Sequence, residues 1–163
     1  MPAPRKKPEP NAIASGSAGR ADRLDTQMLE SLVGYNTRRA WLVIAAAFAE
    51  RMAPFGVRHV DFSVLSLLAH NPGATSRQLC ATLDILPPNL VNLIAGIEAR
   101  GLVERRPHPS DGRAVGLHLT AEGEALVRDA EHAATQLETD ASARLSVRER
   151  DQLIKLLQKI YRP

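Results

Sequence analysis

Residues 101–120 read GLVERRPHPSDGRAVGLHLT, and this stretch decides the fold. Two short runs within it, 102–106 and 114–119, alternate apolar and polar side chains, which predicts β-strands. The segment between them is rich in proline and serine and contains Asp-Gly, residue types that favour a tight chain reversal. Arginines lie on the first run and near the tip. The sequence therefore predicts a β-hairpin with a basic tip.

An amphipathic helix is predicted directly before the hairpin. Its apolar residues recur at i, i+3, i+4 and i+7, at Leu90, Leu93, Ile94 and Ile97. Pro87 and Pro88 suit a first helical turn, because the N–H groups that they lack have no partner there. Gly101 suits the position just beyond the helix end.

Two shorter helices are predicted upstream. Residues 60–70 form the first, and Asn-Pro-Gly at 71–73 forms a turn. Thr75 and Gln78 match a capping box that opens the next helix, which runs through Leu83. This helix and the one that begins at Pro87 have the spacing of a helix-turn-helix. A helix-turn-helix followed by a hairpin predicts a winged helix that places one helix in a DNA groove and a loop in the next.

Long helical patterns flank this region. Residues 24–52 would span roughly 40 Å as one helix, which is too long for a single small domain to cover. After the hairpin, Thr120 caps a long helix, and Ser146 with Glu149 forms a capping box for a last one. The expected fold class is mainly α with a small β-hairpin wing, in which a winged helix-turn-helix domain carries a helical dimerisation region.

Composition bounds the remaining choices. The 163 residues suit one domain, and one cysteine excludes an intramolecular disulfide or a thiolate metal cluster. The scattered histidines predict no metal site, and no cofactor is expected. No secretory signal or membrane-spanning run occurs, so we expect a cytoplasmic protein without a membrane partner. Residues 1–22 predict a disordered basic tail, either inert or binding phosphates, and the chain beyond residue 23 has no net charge.

The order of elements resembles the MarR family of bacterial transcription regulators. The strongest match is in the wing, at Gly101, Leu102, Val103, Arg105, Asp111, Arg113, Leu117, Leu119, Thr120 and Gly123. The resemblance covers residues 28–160 of a domain placed at 23–163. It implies a homodimer held by helices in 24–53 and 121–163, with winged domains at 57–120 that read a pseudo-palindromic operator in double-stranded DNA. It also implies repression that a ligand relieves.

The candidate DNA contacts lie on the second helix of the motif and on the wing. That helix carries no basic residue between Pro87 and Ala99, so Asn89 and Asn92, with Pro88, are expected to read bases. Alternatively, one asparagine only bonds backbone or phosphate. Wing and phosphate contacts are expected from charged or polar side chains: Arg77, Arg105, Arg106, His108, Asp111 and Arg113. Asp111 would hold Arg113, and at most one of Arg105 and Arg106 would face DNA.

A small-molecule site is predicted around residues 34–41, where two arginines lie beside the single tryptophan. A guanidinium next to an apolar wall suits an aromatic carboxylate or a phosphorylated ligand. The segment resembles regulators of aromatic-acid catabolism, some of which sense acyl-coenzyme A thioesters. The implied ligand residues are Tyr35, Arg38, Arg39, Trp41, Phe48 and Phe62. Alternatively, the arginines form interhelix salt bridges and the tryptophan is core.

Two other classes of function compete with a regulator. An enzyme would need a nucleophile elbow, a glycine-rich phosphate loop or paired carboxylates, and the sequence contains none of these motifs, so we expect no catalysis. A winged helix that binds protein instead of DNA would also suit a second helix that carries no basic residue. Salt-sensitive, sequence-specific DNA binding separates the regulator from the protein-binding module.

Overall fold

The computed structural model describes residues 24–108 and 111–162, without the side chains of His108 and of residues 111–114. The predicted basic tail lies outside the described residues. The described chain divides into two units between Arg38 and Arg39. The elements are α1 Gln27–Glu30, α2 Val33–Met52, a 3₁₀ turn Ala53–Phe55, α3 His59–His70, α4 Ser76–Leu83, α5 Pro87–Ala99, β1 Val103–His108, β2 Asp111–Leu119, α6 Ala121–Ala141 and α7 Val147–Tyr161. The chain is therefore mainly helical with one hairpin, as the sequence predicts.

The first helix differs from the prediction. One helix was expected across 24–52, whereas the chain forms α1 and α2 with a break after Glu30. Ser31 Oγ donates to the carbonyl of Met28 at 2.7 Å, and Asn36 Nδ2 donates to the carbonyl of Glu30 at 2.7 Å. Such short polar side chains compete with the helix's own hydrogen bonds. The apolar spacing continues across the break, so the spacing did not predict where the helix would be interrupted.

The helix-turn-helix begins and ends at the predicted signals. Thr75 Oγ1 accepts from the backbone N–H of Gln78 at 3.3 Å, and Gln78 Oε1 accepts from the backbone N–H of Thr75 at 2.7 Å. The predicted capping box is therefore confirmed. α5 starts at Pro87, and Gly101 follows its last turn with φ of 72°, a conformation that glycine adopts without strain.

The hairpin follows α5 directly. β1 and β2 are antiparallel, and the buried residues Val103 and Leu119 face each other at its base. Both strands extend further toward the tip than the sequence predicts. β1 ends at His108 and not at residue 106, and β2 begins at Asp111 and not at residue 114. The register shifts after Pro107, which has no N–H to donate to the ladder.

A close backbone approach joins the hairpin to α6. Thr120 Oγ1 donates to the carbonyl of Gly101 at 2.6 Å and accepts from the N–H of Gly123 at 3.1 Å. A Cβ atom on Gly123 would lie 2.1 Å from the carbonyl oxygen of Leu102. Only glycine therefore lets the first turn of α6 rest against the start of the hairpin.

The winged region surrounds an aliphatic core, and a second cluster links α2 to α6. The first comprises Val57, Val64, Leu65, Leu68, Leu79, Leu90, Ile94, Ile97, Leu102, Val103, Leu117, Leu119 and Val127. The second comprises Phe48, Met52, Ala130 and Leu137. In contrast, α7 has no buried residue. Within the described ranges, no single helix is long and apolar enough to cross a membrane.

Candidate functional site

The exposed face of α5 carries the two predicted base-reading residues. Asn89 and Asn92 are both exposed, while Leu90 and Ile94 on the opposite side are each 1% exposed. The apolar face thus fixes the rotation of α5 and turns both carboxamides outward. Each carboxamide offers a donor and an acceptor to the surface.

The two arginines of β1 are held by carboxylates. Arg105 Nε donates to Glu98 Oε1 at 2.7 Å and Arg105 Nη2 to Glu98 Oε2 at 3.1 Å, so a bidentate pair joins β1 to α5. Arg106 pairs with Glu104 on its own strand. Each arginine therefore has a nearby counter-charge, which sequence alternation alone did not reveal.

Of the remaining predicted DNA contacts, some have side chains that lie outside the described part of the structure. Arg77, the second residue of α4, and Pro88, in the first turn of α5, are both exposed. His108, Asp111 and Arg113 have described backbone on the two strands, but their side chains lie outside the described part. The predicted contact between Asp111 and Arg113 stays a prediction.

Three of the predicted ligand residues contact one another or His59 through their rings. We call this group of Trp41, Phe48, Phe62 and His59 the aromatic cluster. The ring of Phe48 stacks on His59 at 3.8 Å between centroids and meets Phe62 edge-on at 5.5 Å. Trp41 contacts His59 at 4.7 Å. Trp41 and Phe48 are seven residues apart on α2 and so share one helical face. Trp41 is 49% exposed in the single chain, so it is not part of this chain's own core.

His59 is the member that the sequence analysis missed. Its Nε2 atom is buried and has no hydrogen-bond partner among the described residues. Burial lowers the pKa of the imidazole, and the carboxylate of Glu138 opposes this with a smaller effect. The ring is therefore held toward its neutral form, with an unused polar atom, which is uncommon for a buried nitrogen. No sequence signal pointed to it, because its neighbours lie on a different helix.

His59 is part of the lining of two grooves. One, of about 310 Å³, is lined by Phe48, Ala49, Ala53, Gly56, Val57, Arg58 and His59. The other, of about 580 Å³, is lined by Arg58, His59, Val60, Ile85, Asn89, Asn92 and Leu93. Both volumes lie in the range of small-ligand sites. His59 thus borders both a groove that includes residues of α2 and a groove that includes Asn89 and Asn92 of α5.

The two predicted arginines are both exposed. Arg39 is exposed, and it lies two residues from Trp41, a spacing that faces another side of a helix. Arg38 and Tyr35 belong to the other unit, where Arg38 is exposed and Tyr35 half-buried. Among the described side chains neither arginine forms an ion pair, so the interhelix salt bridges considered above do not occur there.

Arg58 is next to His59 in the chain, and its guanidinium already has a partner. Its Nε and Nη2 atoms donate to the buried carboxylate of Asp61 at 2.8 and 3.0 Å. Cys80 is half-buried against the first core cluster. Within residues 24–108 and 111–162, no group of three metal-ligating side chains comes together.

Comparison with known proteins identifies close relatives. The MarR family model matches residues 55–114. A Thauera aromatica protein, proposed as the transcriptional regulator of the hcr operon, is 32% identical over 131 residues, which cover 80% of this chain and 79% of that protein.

Two solved structures share the fold. The transcriptional repressor CouR bound to a 23-mer DNA duplex is 37% identical, with a TM-score of 0.80, and the match covers 86% of this chain and 99% of CouR. CouR from Rhodococcus jostii RHA1 bound to p-coumaroyl-CoA is 29% identical, with a TM-score of 0.77 and coverage of 83% and 95%. These matches extend over the helices as well as the wing, and this chain belongs to the MarR family of transcriptional regulators.

Proposed function

We propose that this protein is a homodimeric repressor that binds a pseudo-palindromic operator and leaves it when a small aromatic acid or its coenzyme A thioester binds. In this proposal residues 57–120 read DNA, and the helices within 24–53 and 121–163 hold the dimer. Asn89 and Asn92 read bases, while Arg113 of the wing and Arg77 of α4 supply the positive charge.

The exposed face of α5 is the observation that carries the DNA-binding part. Two outward carboxamides on a helix without basic residues suit bidentate contacts to adenine, which need no net charge. Because Arg105 and Arg106 already pair with carboxylates, Arg113 and Arg77 become the main phosphate contacts. The likeness to CouR, which was solved bound to a 23-mer DNA duplex, supports duplex DNA as the partner.

Unpartnered apolar surface supports the dimer. The large apolar residues of α7 are exposed to water, at Val147, Leu153, Ile154, Leu156, Ile160 and Tyr161. Exposed apolar patches of this extent are rare on monomers and mark interfaces. A second copy of the chain would cover α7 and give the two winged domains a two-fold relation that matches the operator.

The aromatic cluster supports the effector site. A planar aromatic ligand would extend the stack made by Trp41, Phe48 and His59. The buried Nε2 of His59 would gain a partner from a hydroxyl or carbonyl of that ligand, which removes the cost of leaving it unpaired. CouR was crystallised with p-coumaroyl-CoA, a molecule of this chemical type.

One experiment tests both halves of the proposal. Duplexes are selected from a random library by the purified protein, and binding of a selected duplex is followed by fluorescence anisotropy. p-Coumaroyl-CoA, p-coumarate and benzoate are then added in separate titrations. We expect a palindromic selected sequence and release of DNA by at least one probe, weakened in His59→Ala. Selection of no sequence refutes the DNA-binding part, and the absence of release by all three probes refutes this class of effector.

A further inference from the structure

The guanidinium of Arg100 bridges two turns of the chain. Arg100 Nη1 donates to the carbonyl of Gly56 and Arg100 Nη2 to the carbonyl of Phe55, each at 2.8 Å. Hydrogen bonds from a charged donor are about twice as strong as neutral ones. Both carbonyls lie where α2 passes through its 3₁₀ turn into α3, and Gly56 has φ of 60°, so this turn has a specific, glycine-dependent geometry.

The backbone of Arg100 is equally fixed. Arg100 caps α5, and beyond it the N–H groups of Gly101 and Leu102 donate to Glu98 and Ile97 at 2.8 and 3.3 Å. This pairing is the Schellman arrangement that closes a helix end. The side chain of Arg100 therefore connects the Phe55–Gly56 turn directly to the closed end of α5.

The turn also packs against the apolar cluster that contains Phe48 of the aromatic cluster. Phe55 packs against both apolar clusters, the one that contains Phe48 and Met52 and the one that contains the core of the helix-turn-helix. On the other side, Glu98 near the same end of α5 holds Arg105 of the hairpin. The end of α5 therefore contacts the wing through Glu98, and its cap Arg100 contacts the turn after α2.

We propose that Arg100 is a positioning residue that couples the aromatic cluster to α5 and the wing. The inference rests on the proposed function, since it concerns how an effector at that cluster changes DNA binding. A ligand wedged against Phe48 and His59 displaces the end of α2. The Phe55–Gly56 turn follows, and the guanidinium transfers the displacement to the end of α5.

A double-mutant cycle tests this coupling without any effector. The dissociation constant of a duplex selected by the wild-type protein is measured for Phe48→Leu, Arg100→Gln and the double variant. We expect Phe48→Leu to weaken binding about fivefold when Arg100 is present and less than twofold when glutamine replaces it, because coupled residues give non-additive effects. Arg100→Lys, which keeps one charged donor, should restore part of the coupling.

Arg128→Gln is the matched control. Arg128 is exposed on α6 and forms no ion pair with another described side chain, so its effect should simply multiply that of Phe48→Leu. Circular dichroism verifies folding, and Phe48→Met replaces Phe48→Leu if the latter does not fold. Equal effects of the Phe48 substitution with and without Arg100, or no effect at all, overturn the coupling. A wild-type protein that selects no duplex refutes the proposed function itself, and the coupling with it.

Discussion

Glu98 and Arg105 form a bidentate ion pair that ties the last turn of α5 to the first strand of the wing. The two hydrogen bonds measure 2.7 and 3.1 Å, and the glutamate side chain is only 26% exposed. A pair of this geometry orients the hairpin relative to the helix that precedes it. It also leaves Arg105 with little free charge for a phosphate.

The first prediction concerns the two wing arginines. Arg113→Ala should weaken binding to every duplex. It should also reduce the steepness of the plot of log association constant against log salt concentration by about 1, because one phosphate contact is lost. Arg105→Ala should leave that slope nearly unchanged and reduce affinity through wing orientation. Anisotropy titrations at four salt concentrations measure the slope for each variant. If both substitutions reduced the steepness of the slope equally, the two arginines would not have these different roles.

The second prediction concerns base reading by α5. Asn92→Ala should cost about 1–3 kcal/mol on the selected duplex, because the bidentate contact to one base is lost. Binding to an unrelated duplex should not change, since phosphate contacts remain. The same titrations with Asn89→Ala show whether both residues read bases. If Asn92→Ala alters neither affinity nor preference, the carboxamide has no reading role.

The third prediction concerns the pH dependence of stability. Burial lowers the pKa of His59 in the folded protein, whereas the unfolded chain has the ordinary value near 6.5. As pH falls below about 6.5, the unfolded state therefore binds a proton that the folded state resists, and the free energy of unfolding decreases.

Denaturant unfolding at pH 7.5 and 5.5 measures this effect. His59→Phe, which keeps a ring against Phe48, should lose less stability between these two pH values than the wild type does. All other histidines are common to both proteins, so the difference isolates His59. An identical pH dependence in the two proteins would show that the imidazole does not resist protonation.

The fourth prediction contrasts two glycines. Gly123→Ala places a Cβ atom 2.1 Å from the carbonyl oxygen of Leu102, so the free energy of unfolding should fall by about 3 kcal/mol or more. Gly96→Ala meets nothing within 4 Å on α5 and should stabilise the chain by about 0.5–1 kcal/mol. Urea titrations give both values, and effects of the same sign would refute the packing argument.

Several features of the fold could be predicted from local sequence signals. The capping box at Thr75, the glycine at 101 and the apolar period of α5 act within a few residues, and each lies where the sequence predicts. The break after Glu30 escaped prediction because it depends on side chains that replace backbone hydrogen bonds without disturbing the apolar spacing. His59 and Arg100 escaped it for another reason. Their partners lie on other elements, and no residue type or spacing records such a contact.

The specificity of DNA binding tests the central claim most directly. The dissociation constant of the selected duplex and that of a scrambled duplex of equal length are measured at the same physiological salt concentration. The account predicts that the selected duplex binds at least about 10³-fold more tightly. Equal affinity for the two duplexes would contradict it and would leave α5 as a surface for some other partner.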